Sequence, residues 1–369
     1  MKRKGLILLM AICLLALPAR AEEAGLQESI DWDGLQRALP ADTPQLDEYI
    51  APESGGDLSG GVRAIWEENA PQMGGLVKQA LQNLGQVLVI LALCSAAAGL
   101  VGRQEGTQLA QRVVTAAGAV ALLAALLSDW NGVMELCRGT LEQVDVFSKA
   151  MLPVMAYAIA CSGSSAAGAV LYSITAFALD GAVTLVTRGF LPLLCVYLVL
   201  SAVNAAVGEE LLDKLCQWIR WLIAAGLKVL LSAFVAFLSL SGILAGQTSA
   251  AVVKTAKFAI SGGIPVVGKI ISDATETFFA GAALVKNALG VLGMLGIVAI
   301  CLVPLCRLGI NYVVFKTGSA LLSPLAGGGL GKLVERFGDA FALAFGMVGA
   351  CAAILFFEMV LAVALVVPQ

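Results

Sequence analysis

The sequence predicts an all-α polytopic membrane protein: about seven transmembrane helices, one or two broken or re-entrant segments, and interfacial amphipathic helices. Three observations carry that prediction. Of the 369 residues, 59% are hydrophobic and only 13% are charged, whereas soluble domains carry roughly 25% charged residues. Mean hydropathy is +0.89, and several apolar runs are continuous over about the 20 residues that a bilayer crossing needs. A β-barrel would instead show short alternating segments. The chain also begins MKRKG, then LILLMAICLLAL, then PARA. This is a basic start, an apolar stretch and an A-x-A site at Ala19 and Ala21, the pattern of a secretory signal peptide.

In chain order, residues 1–21 read as that signal peptide, cleaved after Ala21, or else as an uncleaved first membrane helix. Residues 22–75 read as an exported acidic region. Within it, Leu26, Ile30, Trp32, Leu35 and Leu39 form a rough helical stripe, interrupted by Pro40, Pro44, Pro52 and Ser54-Gly55-Gly56. GVRAIWEENA is a second amphipathic piece. The region forms short helices on the membrane face or against a partner, or it is a solvated tail. Its acidity argues against nucleic acid.

Residues 76–369 form the multi-span domain. The runs 81–101 and 109–127 read as spans, joined by a turn with Arg103 and Arg112 that the positive-inside rule puts in the cytoplasm. Residues 131–150 are amphipathic and net acidic, as expected of an outside interfacial helix. The piece 151–161 is too short to cross and ends at the break Ser162-Gly163-Ser164-Ser165. Further spans are expected at 166–187, 191–207 and 222–244, the last preceded by amphipathic 209–221. Spans at 288–306 and 309–325 follow, then GGGLGKLVERFGDAF and a final span at 342–367.

Composition also excludes chemistry. The chain has no His, which removes imidazole triads, relays and histidine metal sites. The nine Cys include no C-x-x-C pair and lie mostly in apolar runs, as small buried hydrophobes do. GGGLGK departs from a P-loop: Ala326 stands at the first Gly position, Leu333 follows Lys332, and no βαβ context surrounds it. Gly290, Gly293 and Gly296 recur every third residue, as close helix packing requires. No catalytic set is evident. The chain is expected to be no enzyme and to need no cofactor and no metal.

The polar groups concentrate instead in SGGIPVVGKIISDATETFFAGAALVKNALG, residues 261–290. On one continuous helix Lys269, Asp273 and Glu276 fall on one face, with Asn287 further along it. Such a stripe inside a membrane faces protein or water, not lipid, as a polar conduit lining or a subunit contact. A competing reading makes Asp273 an N-cap and Glu276 its capping-box partner, since Ile264-Pro265 disfavours helix before the proline. Both readings stay open. Pro153, Ser162, Gly163, Gly263, Pro265 and Gly268 are candidate break or hinge positions. Leu152-Pro153-Val154 and Ile264-Pro265-Val266 each precede a polar break and an apolar helix, which points to inverted repeats.

KTAKFAISGGIPVVGKIISDATETFFAGAALVKNALGVLG, residues 254–293, closely resembles the core of the stage III sporulation protein AE family of endospore-forming bacteria. MLPVMAYAIACSGSSAAGAVLY resembles the family's earlier Leu-Pro segment with its Ser/Gly break. The resemblance implies an integral membrane subunit of a channel or secretion-like complex linking mother cell and forespore. Its partners would be other membrane subunits and a separate cytoplasmic ATPase, besides membrane lipid. It would sit in the mother-cell membrane around the forespore, its N-terminal region extracytoplasmic. Homo-oligomerisation is left open. Two alternatives stand beside the channel subunit: a stand-alone secondary transporter using Lys269, Asp273 and Glu276 as coupling groups, and a membrane scaffold without a conduit.

Overall fold

The computed structural model describes residues 39–40, 58–101, 108–161, 166–207, 210–240, 288–322 and 328–366. Apart from residues 39–40, the described chain is helical: α1 Leu58–Val101, α2 Gln108–Cys161, α3 Ala166–Leu185, a π-helical turn Val186–Phe190, α4 Leu191–Val207, α5 Glu210–Leu240, α6 Ala288–Leu322 and α7 Gly328–Val366. Six helical stretches among the described residues are long and apolar enough to cross a membrane, close to the seven expected.

The difference arises where apolar runs join. The expected spans 166–187 and 191–207 are connected through the π turn, where the Leu191 N–H donates to the Val186 carbonyl, so the chain passes Arg188-Gly189 without stopping. A π turn absorbs one extra residue in a continuing helix. Pro192, which lacks an N–H, follows directly. The expected spans 288–306 and 309–325 are likewise joined, as far as Leu322, in one helix, α6, which runs through Pro304 and Gly309. A mid-helix glycine costs only about 1 kcal/mol, which the long contact with α7 offsets.

The amphipathic segments are also parts of longer rods. Residues 131–150, expected as a separate interfacial helix, lie in the middle of α2, which has 54 residues and is therefore about 80 Å long. Of the expected amphipathic segment 209–221, the described residues 210–221 lead unbroken into the apolar part of α5. The piece GVRAIWEENA opens α1 and continues into its apolar half, with Pro71 inside the helix on an exposed face.

Helix α7 is the centre of the bundle and packs against α2, α3, α4, α5 and α6. It runs antiparallel to α6: Gly338 lies against the Phe315–Lys316 backbone, Gly309 faces Phe345, and Gly293 faces Met359. Helix α2 runs parallel to α7, with Gly118 near Leu330 and Ser148 at Glu358. Helix α1 packs along α6, Gly61 meeting Leu295 and Gly318 meeting Leu84. In lipid no water is expelled when helices meet, so contact rests on close van der Waals fit at small residues. The glycines supply that fit. An ideal Cβ on Gly293 would stand 2.8 Å from Met359 Sδ, and one on Gly296 would stand 2.2 Å from Phe147 Cζ. Trp130 of α2 sits edge-on to Phe341 of α7, centroids 5.6 Å apart, and Phe341 in turn packs on Phe315 of α6 at 5.3 Å.

Candidate functional site: polar networks along the central helix

Two polar networks are built on α7. The first lies near its N-terminal end, where Glu335, Arg336 and Asp339 fall within little more than one turn. Asp339, buried, accepts from Arg220 of α5 at 2.8 Å and from Lys316 of α6 at 3.2 Å. Lys316 also reaches Glu335 at 3.0 Å. Arg336, buried as well, pairs with Asp213 of α5 and donates to the Cys216 sulfur at 3.5 Å. Asp213 is further held by Gln217 at 3.1 Å and by Asn204 of α4 at 3.4 Å. The Ser201 hydroxyl donates to the Tyr197 carbonyl at 2.7 Å and lies 3.6 Å from the Cys216 sulfur. Three basic and three acidic side chains thus tie α4, α5, α6 and α7 together at one level.

The second network is centred on Glu358, whose exposure is 0%. The Ser148 hydroxyl of α2 lies 2.9 Å from each of its carboxyl oxygens. The buried Tyr172 hydroxyl of α3 faces the same carboxyl without closing an ideal hydrogen bond. Beside it, Lys149 of α2 donates to Asp145 and to Asp180 of α3, both at 2.7 Å, at a more open edge. Asp339 and Glu358 are nineteen positions apart. At 1.5 Å per residue this is about 28 Å, close to the roughly 30 Å of a bilayer hydrocarbon core. The residues between them carry no charge.

Between those two levels the bundle is two-sided. The exposed face of α2 is apolar at first, with Val113, Ala117, Val120 and Ala124, and continues at the same helical spacing as Asn131, Glu135, Arg138, Glu142 and Lys149. The exposed face of α1 mixes Arg63, Glu67, Lys78 and Gln82 with Trp66, Val77 and Leu81, and then becomes wholly apolar at Leu88, Val89 and Leu93. The two helices are antiparallel, with Cys94 at Gly118, so both changes fall at one height. On the other side α3 exposes Leu185, α4 exposes Val196, Val199 and Val203, and α5 exposes Val229. Arg188 and Lys228 are charged exceptions there.

Of the residues expected to form the site, Lys269, Asp273, Glu276 and Asn287 lie outside the described residues, as do Ser162, Gly163, Gly263, Pro265 and Gly268. Pro153 is described. It lies on an exposed face inside α2, and the helix continues past it to Cys161. A proline there removes one backbone hydrogen bond and favours a bend, and its hinge role stays a proposal. The sequence reading passed over Glu358, although it is the only charged side chain in residues 340–369 and an acid in a span is a candidate site by default. Among the described residues no group of His, Cys, Asp and Glu is arranged to hold a metal ion.

Long apolar helices around a charged, glycine-packed core define a multi-pass α-helical membrane protein. The family model for stage III sporulation protein AE matches residues 45–366, and the chain belongs to that family. It is 26% identical over 207 residues to stage III sporulation protein AE of Bacillus subtilis (strain 168), a match covering 56% of this chain and 52% of that protein. The chain thus spans about half the length of this curated relative. No solved structure matches it.

Proposed function

We propose that the protein is a non-enzymatic membrane subunit of a sporulation channel or secretion-like complex linking mother cell and forespore, with its α1–α2 flank turned to a conduit or export gate. The observation that carries this is the two-sided bundle. Between the levels of Asp339 and Glu358, the α3–α4 side presents Leu185, Val196, Val199 and Val203, while α1 and α2 present Glu67, Glu135, Arg138 and Glu142. Charged side chains at membrane depth face water-filled cavities or other protein, because lipid cannot solvate them. Several subunits, with their apolar sides outward and their polar flanks together, would enclose such a cavity. Membership in the sporulation family supports the setting. The mother-cell membrane, the exported N-terminal region, the neighbouring membrane subunits and a cytoplasmic ATPase as energy source belong to the same proposal.

Cysteine substitution tests it. In membranes of sporulating cells, Glu135→Cys and Glu142→Cys are expected to react with a membrane-impermeant thiol reagent, and Val196→Cys and Val199→Cys are expected to stay unmodified. Equal reaction on both sides would end the conduit reading. The expected polar stripe at Lys269, Asp273, Glu276 and Asn287 is part of the proposal too. Asp273→Asn combined with Glu276→Gln should lower spore yield severalfold at unchanged protein level. Unchanged spore formation would remove the stripe from the site.

A further inference from the structure

We propose that Glu358, with Ser148 and Tyr172, is a proton-binding site inside the bundle, joining α2, α3 and α7. The inference rests on the membrane-embedded setting of α7 and not on the conduit.

The carboxyl is fully enclosed, and an ionised carboxylate withdrawn from water must be paired or protonated. Its neighbours do not supply a pairing cation among the described residues. From α2 the groups that interact with it are Ser148 and Asp145, and from α3 it is Tyr172; Lys149, next to Ser148 in the chain, is turned to Asp145 and Asp180. Lys149 is already held between Asp145 and Asp180 at 2.7 Å each. Asp145 on the same face of α2 is an acid, not a cation. Beside it, Gly293 of α6 lies on Met359 and Phe234 of α5 lies on Phe357. Neither contact is titratable.

The geometry suits the neutral acid. The Ser148 oxygen is equidistant from both carboxyl oxygens. A hydroxyl there accepts from the protonated oxygen or donates to the other one, because it carries one hydrogen and two lone pairs. The buried Tyr172 hydroxyl is a further donor placed to meet the carboxylate once the proton leaves. The step is simple acid dissociation: the O–H bond of the carboxyl breaks, the electron pair stays on oxygen, and the proton passes to water. The proposed route to water is the Lys149–Asp180 edge, where those side chains are 53% and 45% exposed. Binding and release of the proton would then set whether α2 and α3 stay closed on α7. No metal is needed for this chemistry, and a lone acid with two hydroxyls is a poor ligand set for one.

The test uses the full-length protein in detergent or native membranes. At neutral pH, infrared spectra of wild type and Glu358→Gln are expected to differ by the carbonyl stretch of one protonated carboxylic acid, and raising the pH should remove that band from the wild type only. Superimposable spectra in the carboxylic acid region would overturn the proposal. If Glu358→Gln fails to accumulate, Glu358→Asp serves in its place. It should shift the band, and an unshifted band would count equally against the site. Cysteine accessibility at positions 135 and 142 reports on the conduit independently, so the two proposals fail separately.

Discussion

Replacing Gly296 by valine is expected to destabilise the protein by about 3 kcal/mol, the upper end of the usual cost of overpacking. A Cβ at this position would lie 2.2 Å and 2.5 Å from two ring carbons of Phe147, far inside van der Waals contact. The ring cannot step aside, because Phe147 is completely buried between α2 and the helices it packs on. Even the alanine variant should lose stability. Relative to glycine, alanine gains about 1 kcal/mol of helix propensity, but the clash is larger than that gain. The contrast lies in α7. Gly349 has nothing within 4 Å of its ideal Cβ, and Gly349→Ala should be neutral or gain up to about 1 kcal/mol. Thermal unfolding in detergent, read by helical circular dichroism, checks both variants. Phe147→Leu in the Gly296→Val background should recover part of the loss. Absence of any recovery would show that the glycine is needed for something other than this contact.

That contact was half legible. The recurrence of Gly290, Gly293 and Gly296 announced close packing, and the structure supplies the partners, Met359 and Phe147. A sequence pattern can mark a face as narrow but cannot say which ring fills the groove. The same limit governs the helix boundaries. Apolar runs at 109–127 and 222–244 were readable because lipid demands them. Whether the polar segments beside them start new helices was not readable. A charged face does not end a helix when no strong breaker intervenes, so 131–150 belongs to α2 and 210–221 to α5. Arg188-Gly189 looked like an end for the same reason and became a π turn.

The site divides in a similar way. Glu358 stands out in an apolar run, and that much can be read directly. Its partner Ser148 is 210 positions away, and nothing in the local pattern around Ser148 singles it out from other small polar residues. The first network is harder still. Asp213, Arg220, Lys316, Glu335, Arg336 and Asp339 look individually like charges flanking spans, where Lys and Arg side chains reach for the interface. Only packing shows that all six reach a neighbouring helix and that Arg336 and Asp339 are buried.

Removing Asp213 should be as damaging as the change at Gly296. With Asp213→Leu, the Arg336 guanidinium keeps its charge at 11% side-chain exposure, and the Cys216 sulfur beside it is only a weak acceptor. Stranding one member of a buried pair costs about 3 kcal/mol or more. Arg336→Met should cost less, for two reasons. Asp213 is 30% exposed and retains partial hydration, and Gln217 and Asn204 still donate to it. The order of the two single variants therefore tests the geometry, because a simple loss of one attraction would make them equal. The double variant, Asp213→Leu with Arg336→Met, decides what the pair is for. Buried ion pairs replaced by apolar side chains of similar volume are often no less stable, so folding and membrane level should return close to wild type. If spore formation returns as well, the pair only holds α5 on α7. If stability returns and spore formation does not, the charges at this level act on something outside the bundle, and Asp339 with its two cations becomes the next position to neutralise.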